Sequence, residues 1–241
     1  MKSNTKESEN NLFKKVNQIL TQMNINYWVC HGTLLGIVRD NMILPWDHDI
    51  DFAVWKDETS VSDIEMIFKQ HGFKQEKMFG EMDCLHFISE TKQVDISFYE
   101  RKNNIASIKW VAPSAEFKNK LIFLIARIIC DENFIFKNKM SFKIRATVEF
   151  VFIKTLLLIK LFLTKKMRNK IYSYSKRYFT YTGYSYPEEL MQFKEIDFLA
   201  EKVPIPVESE KCLELTYGKD WKTQKKDYIW YEEASNLVDL K

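Results

Sequence analysis

The chain has 241 residues, a formal net charge of +3, 46% hydrophobic residues and 15% aromatic residues. This length suffices for one hydrophobic core, or for one core and a small second lobe. The composition excludes disordered and collagen-like classes, and four scattered cysteines without a C-x-x-C pair argue against a structural zinc site. We expect reduced thiols, no secretory signal in the polar first ten residues, and a cytoplasmic location.

The hydrophobic pattern of the N-terminal half predicts alternating helices and strands. Apolar residues recur every three or four positions over residues 12–23, which predicts an amphipathic helix that covers a sheet. Residues 60–71 predict another helix, capped by Ser60 or Ser62 and ended by Gly72. Strands are predicted at residues 27–30, 52–55, 85–89 and 93–99, with a short helix at residues 34–38. This order predicts an α+β fold with a short mixed sheet and flanking helices.

A glycine-hydroxyl pair, Gly32 and Thr33, lies at the turn from the first strand to the short helix. At such a turn, backbone N–H groups and a side-chain hydroxyl can approach an anion near the positive end of a helix. A turn glycine also occurs without any ligand. Taken alone, this pair is therefore weak evidence for phosphate binding.

Arg39 follows Gly32 by seven residues, on the short helix or just after it. Its guanidinium has the charge and reach to bind phosphate oxygens in a bidentate manner. The alternative is a salt bridge to Asp40, Asp47 or another nearby acid. The sequence leaves both interpretations open.

Three carboxylates occupy every second position, at Asp47, Asp49 and Asp51. An extended segment places all three on one side, where like charges raise each other's proton affinity unless a cation lies among them. Hard divalent cations take oxygen ligands of this kind. A solvated acidic turn is the alternative, but Trp46 and the apolar residues 52–55 bracket the acids and prefer burial.

A calcium-binding loop is a further alternative for the same acids. Asp47, Asp49 and Asp51 would be its positions one, three and five, and Glu58 its position twelve. That loop needs glycine at its sixth position for a sharp turn. Phe52 stands there, which disfavours the calcium loop.

A further carboxylate, Asp95, interrupts the later strand between Val94 and Ile96. A lone carboxylate among β-branched residues is costly to bury without a partner. A metal ion shared with Asp49 and Asp51 would supply that partner. The sequence thus predicts three acids from two strands around one site.

The motif H-G-T-L-L-G-x-x-R at residues 31–39, followed by L-P-W-D-H-D-I-D at residues 44–51, resembles the LicD/fukutin-type phosphotransferase family. These proteins belong to the nucleotidyltransferase superfamily, whose pattern is Gly-Gly/Ser, then Asp-x-Asp/Glu, then a third acid. The resemblance is specific over residues 27–55, whereas residues 105–186 carry no motif that aligns. It is supported near the C-terminus at residues 193–198, 203–206 and 217–221.

The resemblance implies roles for individual residues. It implies that Asp49 and Asp51 bind the catalytic metal, Mg²⁺ or Mn²⁺, and that Asp95 is the third acid. It also implies that Gly32 and Thr33 contact the donor phosphates.

Two neighbouring positions are less defined by the resemblance. Asp47 is an added acid in this family's version of the motif, either a metal ligand or a support for the ligands. His48 stands where many members have another acid, so no role is assigned to it.

The resemblance further implies a metal-dependent transfer of a phospho-alcohol, such as phosphocholine or a phospho-polyol. The implied donor is a CDP-alcohol, and the acceptor is a sugar hydroxyl of a cell-surface glycan or lipid-linked glycan. One alternative is a nucleotidyltransferase that moves a nucleoside monophosphate to a small molecule or an RNA end. Another is a non-catalytic protein that binds a membrane surface or a glycan.

The second half of the chain is strongly basic. Residues 137–177 contain twelve Lys or Arg and one acid, Glu149, although the whole chain carries only +3. Residues 146–163 form an apolar run near the span of a bilayer, but Glu149, Lys154 and Lys160 interrupt it, which disfavours a transmembrane helix. A core helix and an interfacial helix, with the following cations against anionic lipid or a phosphorylated glycan, remain open.

Tyrosines at residues 172, 174, 178 and 181 interleave these cations, a pattern that could also bind single-stranded nucleic acid, which we rank lower. If the segment forms an interfacial helix, we expect the cytoplasmic protein to make peripheral contact with the inner face of the cytoplasmic membrane.

We predict a nucleotidyltransferase-like catalytic core at residues 1–112. Residues 113–241 are predicted to form a helical, basic lobe and a C-terminal segment packed on the core. Near the end of the chain, Pro204 and Pro206 cannot donate ladder hydrogen bonds, which predicts a sheet edge or a loop, and residues 208–217 predict a helix.

Overall fold

The computed structural model describes residues 2–80, 82–112, 114, 116–131, 134 and 144–240, with side chains omitted for residues 2–5 and 144–149. It contains helices together with a sheet of parallel and antiparallel strands, which confirms the predicted α+β class. The first part of the basic segment, residues 137–143, lies outside the described residues.

Helices and strands alternate through the first half and again near the C-terminus. The helices are α1 (Lys2–Gln22), α2 (His31–Leu35), α3 (Val61–Gln70), α4 (Phe117–Cys130), α5 (Ile144–Phe162), α6 (Lys165–Ser175), α7 (Ser209–Tyr217) and α8 (Trp230–Glu233). The strands are β1 (Tyr27–Val29), β2 (Asp49–Trp55), β3 (Lys74–Glu76), β4 (Cys84–Ile88), β5 (Gln93–Lys102), β6 (Ile105–Ser107), β7 (Trp110–Ala112), β8 (Thr180–Pro187), β9 (Phe193–Phe198), β10 (Glu201–Pro206) and β11 (Leu237–Asp239).

Local sequence signals account for the ends of α3. The Ser60 hydroxyl accepts a hydrogen bond from the Asp63 backbone N–H at 3.1 Å, and so satisfies one of the free N–H groups of the first turn. Gly72 follows the helix with a φ of +85°, a conformation that glycine adopts without steric cost. Both the cap and the terminating glycine predicted from sequence are confirmed.

The sheet has mixed strand directions, with β5 near its centre. β5 runs parallel to β2 and antiparallel to β4 and β6, and the path continues from β6 to β8 and β11. β1 pairs with β2 on the other side, and β3 pairs with β4. β9 and β10 form a separate two-stranded sheet, so Pro204 and Pro206 lie in a short hairpin outside the hydrogen-bonded ladder of the main sheet.

The two faces of the main sheet bury different side chains. One face packs apolar residues of β2 and β5 against α1 and α3, with Phe13, Phe52, Ile64 and Phe68 in one core. The other face is rich in aromatic residues, which are Trp28, Trp55, Tyr99, Tyr184 and Tyr186. Because successive strand residues point to opposite faces, the acids of β2 lie on the aromatic face.

The chain divides into two compact units. The sheet unit comprises Met1–Lys77, Glu81–Trp110 and Thr182–Lys241, and the helical unit comprises Met78–Gly80 and Val111–Tyr181. The division into domains 1–112 and 113–241 stays a prediction. In the structure, however, residues 182–241 belong to the sheet unit, because β8 pairs with β6 and Trp221 is buried in the first core.

The helical unit contains α4, α5 and α6. Its core is formed by Ile128, Ile129 and Leu156, against which Ile153 and Ile171 pack. No helix in the described ranges has both the length and the apolar character that crossing a bilayer would demand.

Candidate active site

The parallel pairing of β2 with β5 brings acids from distant parts of the sequence together. Asp51 lies directly opposite Asp95 in the ladder, and Asp49 lies opposite Gln93. The alternating residues Ile50 and Phe52 enter the core on the opposite face. Two sequence segments more than 40 residues apart therefore place carboxylates side by side on one face of the sheet.

Asp47, Asp49 and Asp51 form a compact group of oxygen ligands. One carboxylate oxygen from each lies within 4.8 Å of the other two. Burial, reinforced by the charge of Asp47, raises the pKa of Asp49 to about 8. Burial and then the charge of Asp49 raise the pKa of Asp51 well above its usual value. A hard divalent cation among these oxygens would relieve both effects, so the donor set fits Mg²⁺ or Mn²⁺.

Gly32 and Thr33 lie against these acids. The Thr33 backbone N–H and hydroxyl donate to Asp51 Oδ2 at 3.3 and 3.4 Å, and the Asp51 N–H lies 2.8 Å from the Thr33 hydroxyl oxygen. A Cβ atom added to Gly32 would come within 2.0 Å of Asp47 Oδ2. Glycine is therefore needed for the turn to approach the acids. A role of this turn in phosphate binding stays a prediction.

The third predicted acid, Asp95, has its own partners. Its Oδ1 lies 2.9 Å from His86 Nδ1 and accepts a hydrogen bond from Gln93 Nε2 at 2.8 Å. Ligand atoms of Asp95, His86 and Cys84 form a second group within 4.8 Å of one another. The charge of Asp95 nevertheless contributes to the raised pKa values of Asp49 and Asp51. The predicted four-acid set is thus divided between two adjacent groups.

Arg39 forms the local salt bridge that sequence left open as the alternative to phosphate binding. Its Nη2 lies 2.8 Å from Asp40 Oδ2, and its Nη1 donates to the Trp221 carbonyl at 3.4 Å. The Arg39 side chain is only 7% exposed. Arg39 therefore links the end of the short helix to the C-terminal segment, and its contact with a donor phosphate stays a prediction.

Sequence reasoning did not single out Lys92, which supports the loop that carries Asp47. Lys92 is 4% exposed, and its ammonium donates to the Leu44 carbonyl at 3.0 Å and to the Asp47 carbonyl. A buried ammonium is stable only when its hydrogens are satisfied. A lysine in a tight hairpin gave no sequence signal, because its partners lie 45 and 48 residues away.

His31 opens the sequence motif at residues 31–39, and both of its ring nitrogens are buried in the structure. Its ring packs against Trp110 and Tyr184 at centroid distances of 5.2 and 5.1 Å. Burial lowers the pKa of His31 to about 3. Among the described residues, neither ring nitrogen has a hydrogen-bond partner. His31 is therefore held neutral in an aromatic surrounding.

The raised pKa of Asp49 predicts how stability depends on pH. The Asp49 carboxyl binds its proton more tightly in the folded chain than in the unfolded chain, where aspartates have pKa values of about 4. The stabilisation is therefore complete below pH 4 and is lost as the pH rises toward about 8. We expect the melting temperature of the metal-free protein to fall between about pH 6.5 and 8, measured by circular dichroism in chelator.

The window between pH 6.5 and 8 avoids an opposing effect of His31. Because the pKa of His31 is lowered, its contribution makes stability rise with pH only between about pH 3 and 6.5. Asp49→Asn should show a smaller fall, and saturating Mg²⁺ should reduce the fall in the natural sequence. An unchanged slope in Asp49→Asn would contradict the assignment of the titrating group.

Comparison with known proteins shows a family similarity over the residues of this site. The model of the family described as "LicD/FKTN/FKRP, nucleotidyltransferase domain" matches residues 24–131. This range contains the glycine-threonine turn, the three acids of the loop and β2, and Asp95.

Two curated relatives are uncharacterized proteins. The one from Rickettsia typhi is 42% identical over 64 residues, which cover 26% of this chain and 21% of the relative. The one from Rickettsia prowazekii is 41% identical over 63 residues, which cover 26% of this chain and 24% of the relative. The matched segment thus spans less than a quarter of the length of either relative.

Similar solved structures include an adenylyltransferase and an antibiotic-resistance factor. The lincomycin-bound lincosamide antibiotic adenylyltransferase LnuA has a TM-score of 0.40 and 12% identity, covering 84% of this chain and 82% of its own. The solution structure of the antibiotic-resistance factor ANT(2'')-Ia has a TM-score of 0.36 and 11% identity. The match covers 72% of this chain and 94% of that protein's chain. Neither likeness bears on substrates. The family match covers residues 24–131, and over this range the chain is similar to the LicD/FKTN/FKRP nucleotidyltransferase domain.

Proposed function

We propose that the chain is a metal-dependent phosphotransferase that moves a phospho-alcohol from a CDP-activated donor to a sugar hydroxyl of a cell-surface glycan. The observation that carries this proposal is the group formed by Asp47, Asp49 and Asp51, whose oxygens converge beside the turn at Gly32 and Thr33. The family match over residues 24–131 supports a transferase. The choice of CDP-alcohol and glycan rests on the resemblance of the motif to LicD-type phosphotransferases.

Asp49 and Asp51, with Asp47 beside them, would hold the Mg²⁺ or Mn²⁺ ion. A bound divalent ion of this class neutralises charge on the transferred phosphate and on the departing CMP. The hydrogen bonds from Thr33 to Asp51 fix the orientation of that carboxylate before any substrate binds. Gly32 has no side chain, so the Asp47 and Asp51 carboxylates can lie directly against the backbone of the turn.

We assign Asp95 to the acceptor side of the reaction. The acceptor hydroxyl oxygen forms a bond to the donor's β-phosphorus, the one that carries the alcohol, and the bond from this phosphorus to the oxygen of CMP breaks. The hydroxyl proton goes to the Asp95 carboxylate, which His86 and Gln93 hold in place. CMP leaves with the electron pair of the broken bond.

A second candidate reaction is nucleotidyl transfer, which the description of the matched family as a nucleotidyltransferase domain favours. The same acids would then serve attack on the α-phosphorus of a nucleoside triphosphate. The acceptor would gain a nucleoside monophosphate, and pyrophosphate would leave. The two reactions differ in which part of the donor reaches the product.

The test is a donor screen with a mass-spectrometric readout. The purified chain is incubated with Mg²⁺, surface glycan from the source cell, and CDP-choline, CDP-ethanolamine, CDP-glycerol or CDP-ribitol in turn, and then with ATP or CTP. We expect a phospho-alcohol adduct on the glycan and release of CMP. A nucleoside monophosphate adduct would replace the first proposal by the second, and no adduct from any donor would count against both.

A further inference from the structure

Helix α5 of the helical unit presents apolar side chains on two sides. One side enters the core of that unit, where Leu156 is buried and Ile153 and Leu157 pack beside it. Large apolar residues on the other side remain in solvent. These outward residues are Val151, Phe152, Leu158, Ile159, Leu161 and Phe162. A helix that is apolar on both sides needs a second apolar contact.

The exposure is greatest at the C-terminal end of α5. Phe162 is 84% exposed, Leu161 is 78% exposed and Leu158 is 60% exposed. Clustered large apolar side chains in solvent are uncommon in proteins that bind nothing there, and they mark interaction surfaces. The core-helix interpretation from sequence therefore accounts for only one side of α5.

Positive charge surrounds this apolar end. Residues 150–181 contain eight Lys or Arg and no Asp or Glu. Lys165 and Lys166 begin α6, two residues after Leu163, and both are exposed. The Thr164 hydroxyl caps α6 by accepting from the Met167 N–H at 3.3 Å, so the two lysines follow the apolar end in a defined turn.

We propose that the outward side of α5 and the first turn of α6 bind the surface of an anionic lipid bilayer. Leu158, Leu161 and Phe162 enter the boundary between headgroups and acyl chains, while Lys165 and Lys166 contact anionic headgroups. The helix lies in the plane of the interface, because the charges of Lys154 and Lys160 oppose a crossing orientation.

Charge argues against a second copy of the chain as the partner of this surface. Two copies joined through it would bring the exposed Lys165 and Lys166 of both copies together, and residues 150–181 supply no acid to pair with them. An anionic bilayer supplies both an apolar layer and the opposite charge. The bilayer is therefore the partner that satisfies both features of the surface.

The test measures binding of the full chain to lipid vesicles by co-sedimentation. Vesicles of phosphatidylcholine alone are compared with vesicles that also contain phosphatidylglycerol, at low and at high salt. We expect binding at least about tenfold tighter to the anionic vesicles, and weaker binding at high salt. This assay involves no phosphate transfer, so its result is independent of the proposed function.

Two double variants separate the apolar and the electrostatic contributions. Leu161→Ser with Phe162→Ser should weaken vesicle binding at least about tenfold. Lys165→Gln with Lys166→Gln should weaken it about 30-fold and should reduce its salt dependence. Because these side chains are exposed, neither variant should change the circular dichroism spectrum or the melting temperature appreciably.

Matched controls remove the same chemistry from exposed positions on and around α3 of the sheet unit. Val61→Ser with Met66→Ser, and Lys69→Gln with Lys74→Gln, should leave vesicle binding unchanged. Equal binding to neutral and anionic vesicles, or equal losses in the controls, would overturn the proposal. A concentration-dependent dimer that Leu161→Ser with Phe162→Ser abolishes, without vesicle binding, would also overturn it in favour of self-association.

Discussion

Replacing Asp51 by Asn is expected to abolish transfer, lowering the rate by about a thousandfold or more, while the fold remains intact. Asn keeps the size of the side chain but removes the charge that would hold a divalent ion. The melting temperature of the metal-free protein should stay the same or rise, because burial and the neighbouring charge of Asp49 already disfavour the ionised form of Asp51. Turnover is measured with the best donor from the screen, and stability by thermal denaturation.

Asp63→Asn is the matched control for this loss of charge. Asp63 is an exposed acid in the first turn of α3, so its change should leave turnover as it is and lower stability only slightly. Asp49→Asn should behave as Asp51→Asn does. If Asp51→Asn retained full turnover, the proposed metal-dependent reaction at this site would be refuted.

Gly183→Ala is expected to destabilise the protein by about 3 kcal/mol or more. A Cβ atom at residue 183 would lie 1.7 Å from the Ile108 carbonyl oxygen and 2.8 Å from its carbon. These are backbone atoms, so no side-chain rotation can make room. The neighbouring Ile108 N–H donates to the Tyr184 carbonyl at 3.1 Å, which means that relieving the clash also strains this hydrogen bond.

Urea denaturation of Gly183→Ala and of Gly218→Ala measures this effect. Gly218 has a φ of +84° and open space around its missing Cβ, so its change should cost about 1 to 2 kcal/mol, through backbone strain alone. We expect the Gly183 variant to be the less stable of the two by a clear margin. Equal midpoints would show that β8 is not packed as closely on the sheet unit as the structure indicates.

Local features of the fold were predictable because their causes are local. The Ser60 cap and the glycine after α3 depend on hydrogen bonds and backbone angles within a few residues. The alternation of acids with apolar residues along β2 follows from the two-residue period of a strand. The same period places Asp49 and Asp51 on one face of the strand, as predicted from the sequence.

The partners of Asp95 could not be predicted, because they depend on strand register. His86 faces Asp95 only through the antiparallel pairing of β4 with β5, and Asp51 faces it only through the parallel pairing of β2 with β5. A shift of one residue in either ladder would turn these side chains to the opposite face. The sequence pattern allows both registers, and only packing of the complete sheet selects one.

The sequence by itself determined the α+β class, the glycine-threonine turn, the row of acids on β2 and the similarity of residues 24–131 to the LicD/FKTN/FKRP nucleotidyltransferase domain. Those features are properties of short segments. Only the tertiary structure decided that Asp95 pairs with His86, that Arg39 pairs with Asp40 and contacts Trp221, and that residues 182–241 join the sheet unit. Only the tertiary structure showed, too, which side of α5 stays in solvent. These outcomes depend on contacts between segments that are distant in sequence. Which of these contacts form is decided by the free energy of the whole folded chain, and a local sequence pattern does not determine that free energy.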